Sequence, residues 1–388
     1  MRFKILTLNN ISVAGLQNLP REYYEVASEI VHPDAILLRS HDLHDLEIPE
    51  TLRAVARAGV GVNNVPVERL TERGIPVFNA PGANANAVKE LVVAGMLLAA
   101  RNICPAWAYV RALEGSAEDI KRAVEAGKKQ FVGYELPRRV LGVVGLGAIG
   151  VEVANAALGL GMRVIGFDPG MTVERAWQLS ASVEQATSLD DLLARCDMVS
   201  LHVPLNAKTR GLMSAERLGL MRQGGVLLNF SRAEIVDEKG LVEALGQEHL
   251  SNYVCDFPSP EIKDHPQVVA LPHLGASTLE AEDNCAVMVV DNMREYLENG
   301  NIRHSVNFPQ AVMPRAGSSR LTVANRNVPN MVGQVSTCLA NSGLNILDML
   351  NQSRGDVAYT LVDLDREVPE ETYKQIASID GVLAARVI

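Results

Sequence analysis

Short β-branched runs alternate with stretches of helical periodicity over roughly the first 290 residues, the pattern of a mainly parallel sheet covered by helices. The alternation predicts two such units. In the first, strands are expected over 4–9, 35–40, 54–60 and 76–79, closed by an apolar helix over 87–101. In the second they are expected over 139–144, 163–167, 198–203, 225–229, 253–256 and 268–271. Around 307–320 the run NFPQAVMPRAGSSR loses its periodicity and gathers Pro309, Pro314, Gly317, Ser318 and Ser319, the composition of an exposed linker. Beyond it the order strand 320–324, helix 331–342, strand 346–352, strand 357–365, helix 369–379, strand 382–388 predicts a βαββαβ sandwich.

Composition narrows the classes of function. A chain of 388 residues, 47% hydrophobic, can bury more than one core, because a single core rarely grows past about 250–300 residues. The longest apolar run, 91–100, is flanked by Lys89, Glu90 and Arg101 and falls short of the roughly 18 residues a membrane helix needs. The opening MRFKILTLNN lacks the features of a signal peptide, so a soluble, cytoplasmic protein is expected. A net charge of -10 without a basic block argues against nucleic acid or anionic membrane as partners. The five cysteines (Cys104, Cys196, Cys255, Cys285, Cys338) form no CxxC pair and read as reduced packing residues. His41 and His44, with Asp42 and Asp45, read as a solvated loop, and no metal is expected.

Nearly every unusual polar residue follows a predicted strand of the second unit, and open parallel sheets bind ligands beyond the carboxyl ends of their strands. The run Gly145-Leu-Gly147-Ala148-Ile149-Gly150 follows RVLGVV and opens a helix with an apolar face at Ile149, Val153, Ala157 and Leu160. Such a loop supplies a tight turn, room for a pyrophosphate and a helix N-terminus that favours an anion. Asp168 ends the next strand, where a carboxylate accepts hydrogen bonds from ribose hydroxyls and repels a 2'-phosphate, which favours NAD over NADP. The alternative is that the glycines serve packing alone and Asp168 is a solvated strand end.

Three residues after different strands could converge: Arg232 in NFSR, Glu261 in DFPSPE and His273 in LPHLGAST. Oxidising a 2-hydroxy acid needs a base for the hydroxyl proton, and histidine titrates nearest neutrality. A carboxylate hydrogen-bonded to the imidazole fixes its tautomer and favours the charged ring, which suits Glu261. Arg232 offers a planar fork for a carboxylate and a carbonyl oxygen. His202, in LHVPL, is expected to line the adenine end of the cofactor crevice. Taken singly, each residue could equally be structural or solvated.

Together these residues resemble the D-isomer-specific 2-hydroxyacid dehydrogenase family, over nearly the whole chain. The resemblance rests on RAGVGVNN (57–64), FNAPGANANAVKEL (78–91), VVGLGAIG, HVPL, NFSRAEIVDE (229–238), DFPSPE and LPHLGAST. It is nearest to members that oxidise D-3-phosphoglycerate to 3-phosphohydroxypyruvate with NAD, the first step of L-serine biosynthesis, and that carry a C-terminal ACT domain. It implies three α/β domains: a flavodoxin-like substrate domain over 1–98, completed by 291–310; a Rossmann-type doubly wound NAD domain over 99–290; and, after a linker at 311–319, a ferredoxin-like ACT domain over 320–388.

By the same resemblance Arg232, Glu261 and His273 are the catalytic set. NAD contacts are implied at Gly145, Gly147, Ala148, Ile149, Gly150, Asp168, His202, Val203, Pro204, Phe230, Ser231, Arg232, Asp256, His273, Leu274, Gly275 and Ala276. Substrate contacts are implied at Arg57, Gly59, Val60, Asn84, Arg232 and His273, with Lys128 or Lys129 where relatives place a basic residue. Asn325, Asn327 and Asn345 match effector positions for L-serine, and a homodimer or homotetramer is implied.

Four positions depart from the family pattern. Asn63 stands where Asp is usual, Ala233-Glu234 replaces a glycine-containing step, Asn325 holds a position often taken by His, and Asn330 follows Pro329 where Gly is usual. Two other readings remain: a dehydrogenase of another D-2-hydroxy acid such as glycerate, lactate or an aromatic hydroxy acid, and a non-catalytic NAD- or amino-acid-sensing regulator.

Overall fold

The computed structural model describes residues 2–388 and divides into two compact units, Met1–Ala83 with Leu279–Ile388, and Asn84–Thr278. In the first unit β1 (Phe3–Leu8), β2 (Tyr24–Ala27), β3 (Ala35–Leu38), β4 (Ala54–Arg57) and β5 (Val77–Phe78) form a parallel sheet in the order β2-β1-β3-β4-β5. Alternation along β3 sends Leu37 to a core shared with helix Leu279–Asn299 and sends Ile36 and Leu38 to a second core with Leu70 and Val77. The edge strand β2 was not expected, because only Tyr24 of its four residues is buried and its pattern carries no alternation.

The second unit carries seven parallel strands: β6 (Val140–Val144), β7 (Arg163–Phe167), β8 (Glu184–Gln185), β9 (Met198–Leu201), β10 (Gly225–Asn229), β11 (Leu250–Cys255) and β12 (Val268–Ala270). Their order, β12-β11-β10-β9-β6-β7-β8, reverses between β6 and β9, as in doubly wound dinucleotide-binding sheets. One face packs on helices Ala85–Ala100 and Ala148–Gly159, through Leu141, Val143 and Val254. The other packs on Leu189–Arg195, Ala215–Leu220 and Glu238–Gly246. The two-residue β8 lay below what a sequence pattern reveals.

Two expected boundaries move. Divisions at 98/99 and 290/291 would cut through helices Ala85–Ala100 and Leu279–Asn299, and the structure divides where each helix begins. Packing decides this. Val88, Val92, Met96 and Ala100 of the first helix join the core of the second unit, while Cys285, Val289, Val290 and Met293 of the other join that of the first. The first helix therefore opens the second unit instead of closing the first. No single helix among the described residues is long and apolar enough to cross a membrane.

The C-terminal residues form β13 (Ser319–Arg326), β14 (Ile346–Arg354), β15 (Val357–Leu364) and β16 (Val382–Val387), an antiparallel sheet in the order β14-β15-β13-β16 with helices Met331–Asn341 and Glu370–Ala377. These elements match the βαββαβ expectation. The expected exposed linker at 311–319 is met in part: Pro314, Arg315, Ala316 and Ser318 are exposed, whereas Ala311, Met313 and Ser319 are buried and Ala311 exchanges backbone hydrogen bonds with Ile302. Ala311 and Met313, two residues apart, draw the start of this stretch into the core of the first unit.

Candidate active site

Because all strands of the second unit run parallel, residues 145, 168, 202, 230, 256 and 271, each next after a strand, share one edge of the sheet. The glycine loop sits at the reversal of strand order. Gly145 has φ +90°, and a Cβ there would stand 2.7 Å from the carbonyl oxygen of His202. A Cβ on Gly150 would collide with the carbonyl oxygen of Gly145. These two glycines are required by the protein itself.

Gly147 is different: it is exposed, its φ is negative, and a Cβ would meet nothing within 4 Å. It caps helix Ala148–Gly159 without any side-chain hydrogen bond, and the first turn carries no acidic residue, so the free N–H groups and the dipole are available to an anion. Asp168 accepts hydrogen bonds from the backbone N–H groups of Leu146 (2.8 Å) and Gly170 (2.8 Å), which orients its carboxylate beside the loop and leaves lone pairs for hydroxyl donors. Open space over Gly147, an uncapped helix start and an oriented carboxylate suit a dinucleotide. Gly147→Ala is expected to leave apoprotein stability within about 1 kcal/mol and to weaken NAD binding, whereas Gly150→Ala disrupts folding. Thermal melts and calorimetric titration check this, and unchanged NAD affinity in Gly147→Ala would refute it.

Five buried side-chain polar atoms of the second unit have no hydrogen-bond partner: Asn84 Oδ1, His202 Nδ1, Asp256 Oδ1, Ser259 Oγ and His249 Nε2. Three belong to predicted site residues and Ser259 lies within DFPSPE. An unpaired buried polar atom is costly and calls for a partner such as water or a ligand, and His249, which precedes β11, lies at the opposite end of the sheet from the other four. His202 holds Ser200 Oγ at 2.8 Å through Nε2, and burial pushes its pKa down to about 4, which keeps the ring neutral near pH 7.

Around the end of β10, Asn229 is fully buried and accepts from the Ser231 N–H while donating to the Arg232 carbonyl (2.9 Å). Ser231 donates to the Leu201 carbonyl at the end of β9 (2.6 Å). This network shapes the turn that presents Arg232, whose half-buried guanidinium reaches only its neighbour's carbonyl, Ser231 O at 2.6 Å.

His273 is exposed, its ring tilted 59° to that of Phe257 with centroids 4.9 Å apart. Beside it Asp256 is buried and accepts from the Gly275 N–H (3.3 Å). Burial raises the pKa of Asp256, against the opposing charge of His273 and the nearby backbone N–H groups. The expected hydrogen bond between Glu261 and His273 is not formed. Glu261 sits on an exposed turn, and its neighbour Ile262 is buried in the core.

In the first unit Arg57 ends β4 and donates through Nε to the carbonyl of Arg39 (3.0 Å), its guanidinium lying over Gly59, whose φ of +154° no β-carbon obstructs. Arg39 follows the neighbouring β3 and pairs with Glu282 (2.7 Å). Arg39 stands just after a strand, the placement that marks the other candidate residues. Val60 is exposed. Lys128 and Lys129 are exposed in the short turn Lys128–Phe131, with Lys128 ion-paired to Glu125.

The three effector candidates do not converge within one chain. Asn325 is buried, its amide bonded to the Arg326 carbonyl (2.7 Å). Asn327 follows β13, whereas Asn345 precedes β14, and the register pairs Ile346 with Leu364 and Leu364 with Ser319. Asn345 thus lies at the opposite end of the sheet from Asn327, roughly 25 Å away at strand rise.

Residues 93–275 match the family model described as D-isomer specific 2-hydroxyacid dehydrogenase, NAD binding domain. The D-3-phosphoglycerate dehydrogenase of Escherichia coli (strain K12) is 33% identical over 402 aligned residues, covering 98% of this chain and 94% of that protein. The enzyme of the same name from Methanocaldococcus jannaschii is 34% identical over 88% of this chain and 63% of that protein. Among solved structures, the NAD+-bound 3-phosphoglycerate dehydrogenase of Entamoeba histolytica superposes with a TM-score of 0.62 at 25% identity, covering 79% of this chain and 99% of that one.

Proposed function

The chain belongs to the D-isomer specific 2-hydroxyacid dehydrogenase family, and from that premise we propose that it oxidises D-3-phosphoglycerate to 3-phosphohydroxypyruvate with NAD. The observation that carries the cofactor half is the open space over Gly147 at an uncapped helix start, with Asp168 oriented beside it. NAD, when bound, accepts the hydride from C2 of the substrate.

The chain's own groups supply the rest. His273 takes the C2 hydroxyl proton and returns it in the reverse reaction. Arg232, whose donors are largely uncommitted, holds the carboxylate and polarises the C2 oxygen. Asp256 is the buried carboxylate beside the imidazole and steadies the ring as it charges. Glu261 serves this role only if its turn moves. Asn84, His202 and Ser259 offer partnerless atoms to the bound molecules. Arg39 and Arg57, on adjacent strand ends, are the cations for the substrate's anionic groups. Steady-state rates over a panel of D-2-hydroxy acids, with NAD and NADP, test the reading. NADH formation with D-3-phosphoglycerate is expected, and preference for an unphosphorylated acid or for NADP would overturn it.

We infer that the C-terminal βαββαβ domain is an ACT-type regulatory domain. Because Asn327 and Asn345 lie at opposite ends of its sheet, an effector such as L-serine that touches both needs two copies. Association is also supported by helix Ile103–Arg111, which buries none of its residues and exposes Ile103, Trp107 and Val110 along one face. Trp107→Asp is expected to shift the protein to a smaller species in sedimentation, and an unchanged distribution would remove this helix from the interface.

A further inference from the structure

A βαββαβ sheet buries one face under its own helices, and here Leu321, Val323, Val362 and Leu364 do so against Val335, Leu339 and Ile376. The second face is covered as well. Ala324, Tyr359 and Leu361 lie in the core of the first unit with Phe78, Tyr296 and Phe308.

At the centre of this contact stands Arg320, wholly buried with Asp363. Its Nε and Nη2 donate to the two oxygens of Asp363 at 2.5 and 2.8 Å, and the other N–H groups go to the carbonyls of Asn299 (2.9 Å), Met313 (3.0 Å) and Pro314 (2.9 Å) and to Asn301 Oδ1 (3.3 Å). Asn299 ends helix Leu279–Asn299, and the last carbonyls of a helix have no partner within it. Arg386 donates to Leu297 O at 2.9 Å and to Tyr296 O, which also accepts from the Gly300 N–H, at 3.4 Å, with its guanidinium 4.8 Å over the Tyr296 ring. The Tyr359 hydroxyl donates to the next carbonyl, Gly300 O, at 2.7 Å. Three strands, β13, β15 and β16, therefore grip one helix end, where cations also meet the negative pole of the dipole.

We propose that this grip makes the C-terminal domain and helix Leu279–Asn299 one mechanical body, so that any displacement of the domain is passed to the helix that follows the His273 loop in the chain. The 311–318 segment is then a strap tied down at points along a partly exposed stretch. It is held by the Ala316 N–H on Asp363 Oδ2 (2.6 Å), by Arg315 on the carbonyl of Ile388 (2.5 Å) and by Gly317 tight against Leu364. Its link to catalysis rests on the role proposed for His273; the grip itself does not.

Two readouts independent of activity test it on the full chain: trypsin cleavage after the exposed Arg315, and amide exchange in residues 295–300. In Arg320→Met/Asp363→Leu, which removes both charges together, both are expected to accelerate about tenfold or more, with helix Ala85–Ala100 unchanged. Arg386→Met should accelerate exchange at the helix end by a smaller factor and decides the matter if the double variant does not fold. Wild-type protection in the variant tested would overturn the proposal, because apolar contact alone would then hold the domain. A rise spread equally over Ala85–Ala100 would overturn it too.

Discussion

Turnover of His273→Ala is expected to fall by about two to four orders of magnitude, the usual worth of a general acid–base group, while NAD affinity changes little. The ring is exposed beyond β12, steadied by Phe257 and flanked by the buried Asp256. His202 also follows a strand of this sheet, β9. Burial holds its pKa at about 4, however, so it is a poor proton acceptor near pH 7 and a better fixed partner for the cofactor. Steady-state kinetics and a fluorescence titration with NAD check both halves. Unimpaired turnover would remove His273 from the mechanism, and equal losses in turnover and NAD binding would make it a packing residue.

The largest stability effect is expected from Arg320→Met, which leaves Asp363 charged and buried without its cation and should cost about 3–5 kcal/mol. In the wild type, burial works against the Asp363 charge but is outweighed by Arg320 and the Ala316 N–H, so its pKa lies below the ordinary value. A depressed carboxylate contributes stability above its unfolded value, near 3.8, that is lost as pH falls through the lower folded value. In the variant the cation is gone and burial acts alone, so protonation relieves the strain. The stability gap between the two proteins should therefore narrow as pH falls toward and below about 4. Calorimetric melts from pH 7 downward measure this. A gap independent of pH would mean that lost packing, not the buried charge, carries the effect. Arg320→Met/Asp363→Leu should recover part of the loss.

Glu261 and Arg39 show what order along a chain leaves undetermined. Glu261 lies on an exposed turn beside the buried Ile262, and no local pattern records how far that turn stands from His273. The meaning of Arg39 depends on β3 lying beside β4, which sets its carbonyl against Arg57 Nε. Likewise the apolar helix Ala85–Ala100 was legible as a helix but not as part of the second unit. Its 3.6-residue period shows that one face is buried and is silent on which sheet covers it.

By itself the sequence determined what depends on residues close together in the chain: the parallel sheets, the βαββαβ order at the C-terminus, the glycine loop after β6 and the carboxylate after β7. Each is a local pattern with its own steric or electrostatic cause. Only the tertiary structure decided that the chain divides at 83/84 and 278/279, that two glycines of the loop serve the protein and one leaves open space, and that a Pro-rich stretch is packed at its start. It alone placed Arg320 and Arg386 on the end of a helix some twenty to ninety residues away in sequence. Such contacts join segments whose periodicity is complete without them, so no local pattern records which faces meet.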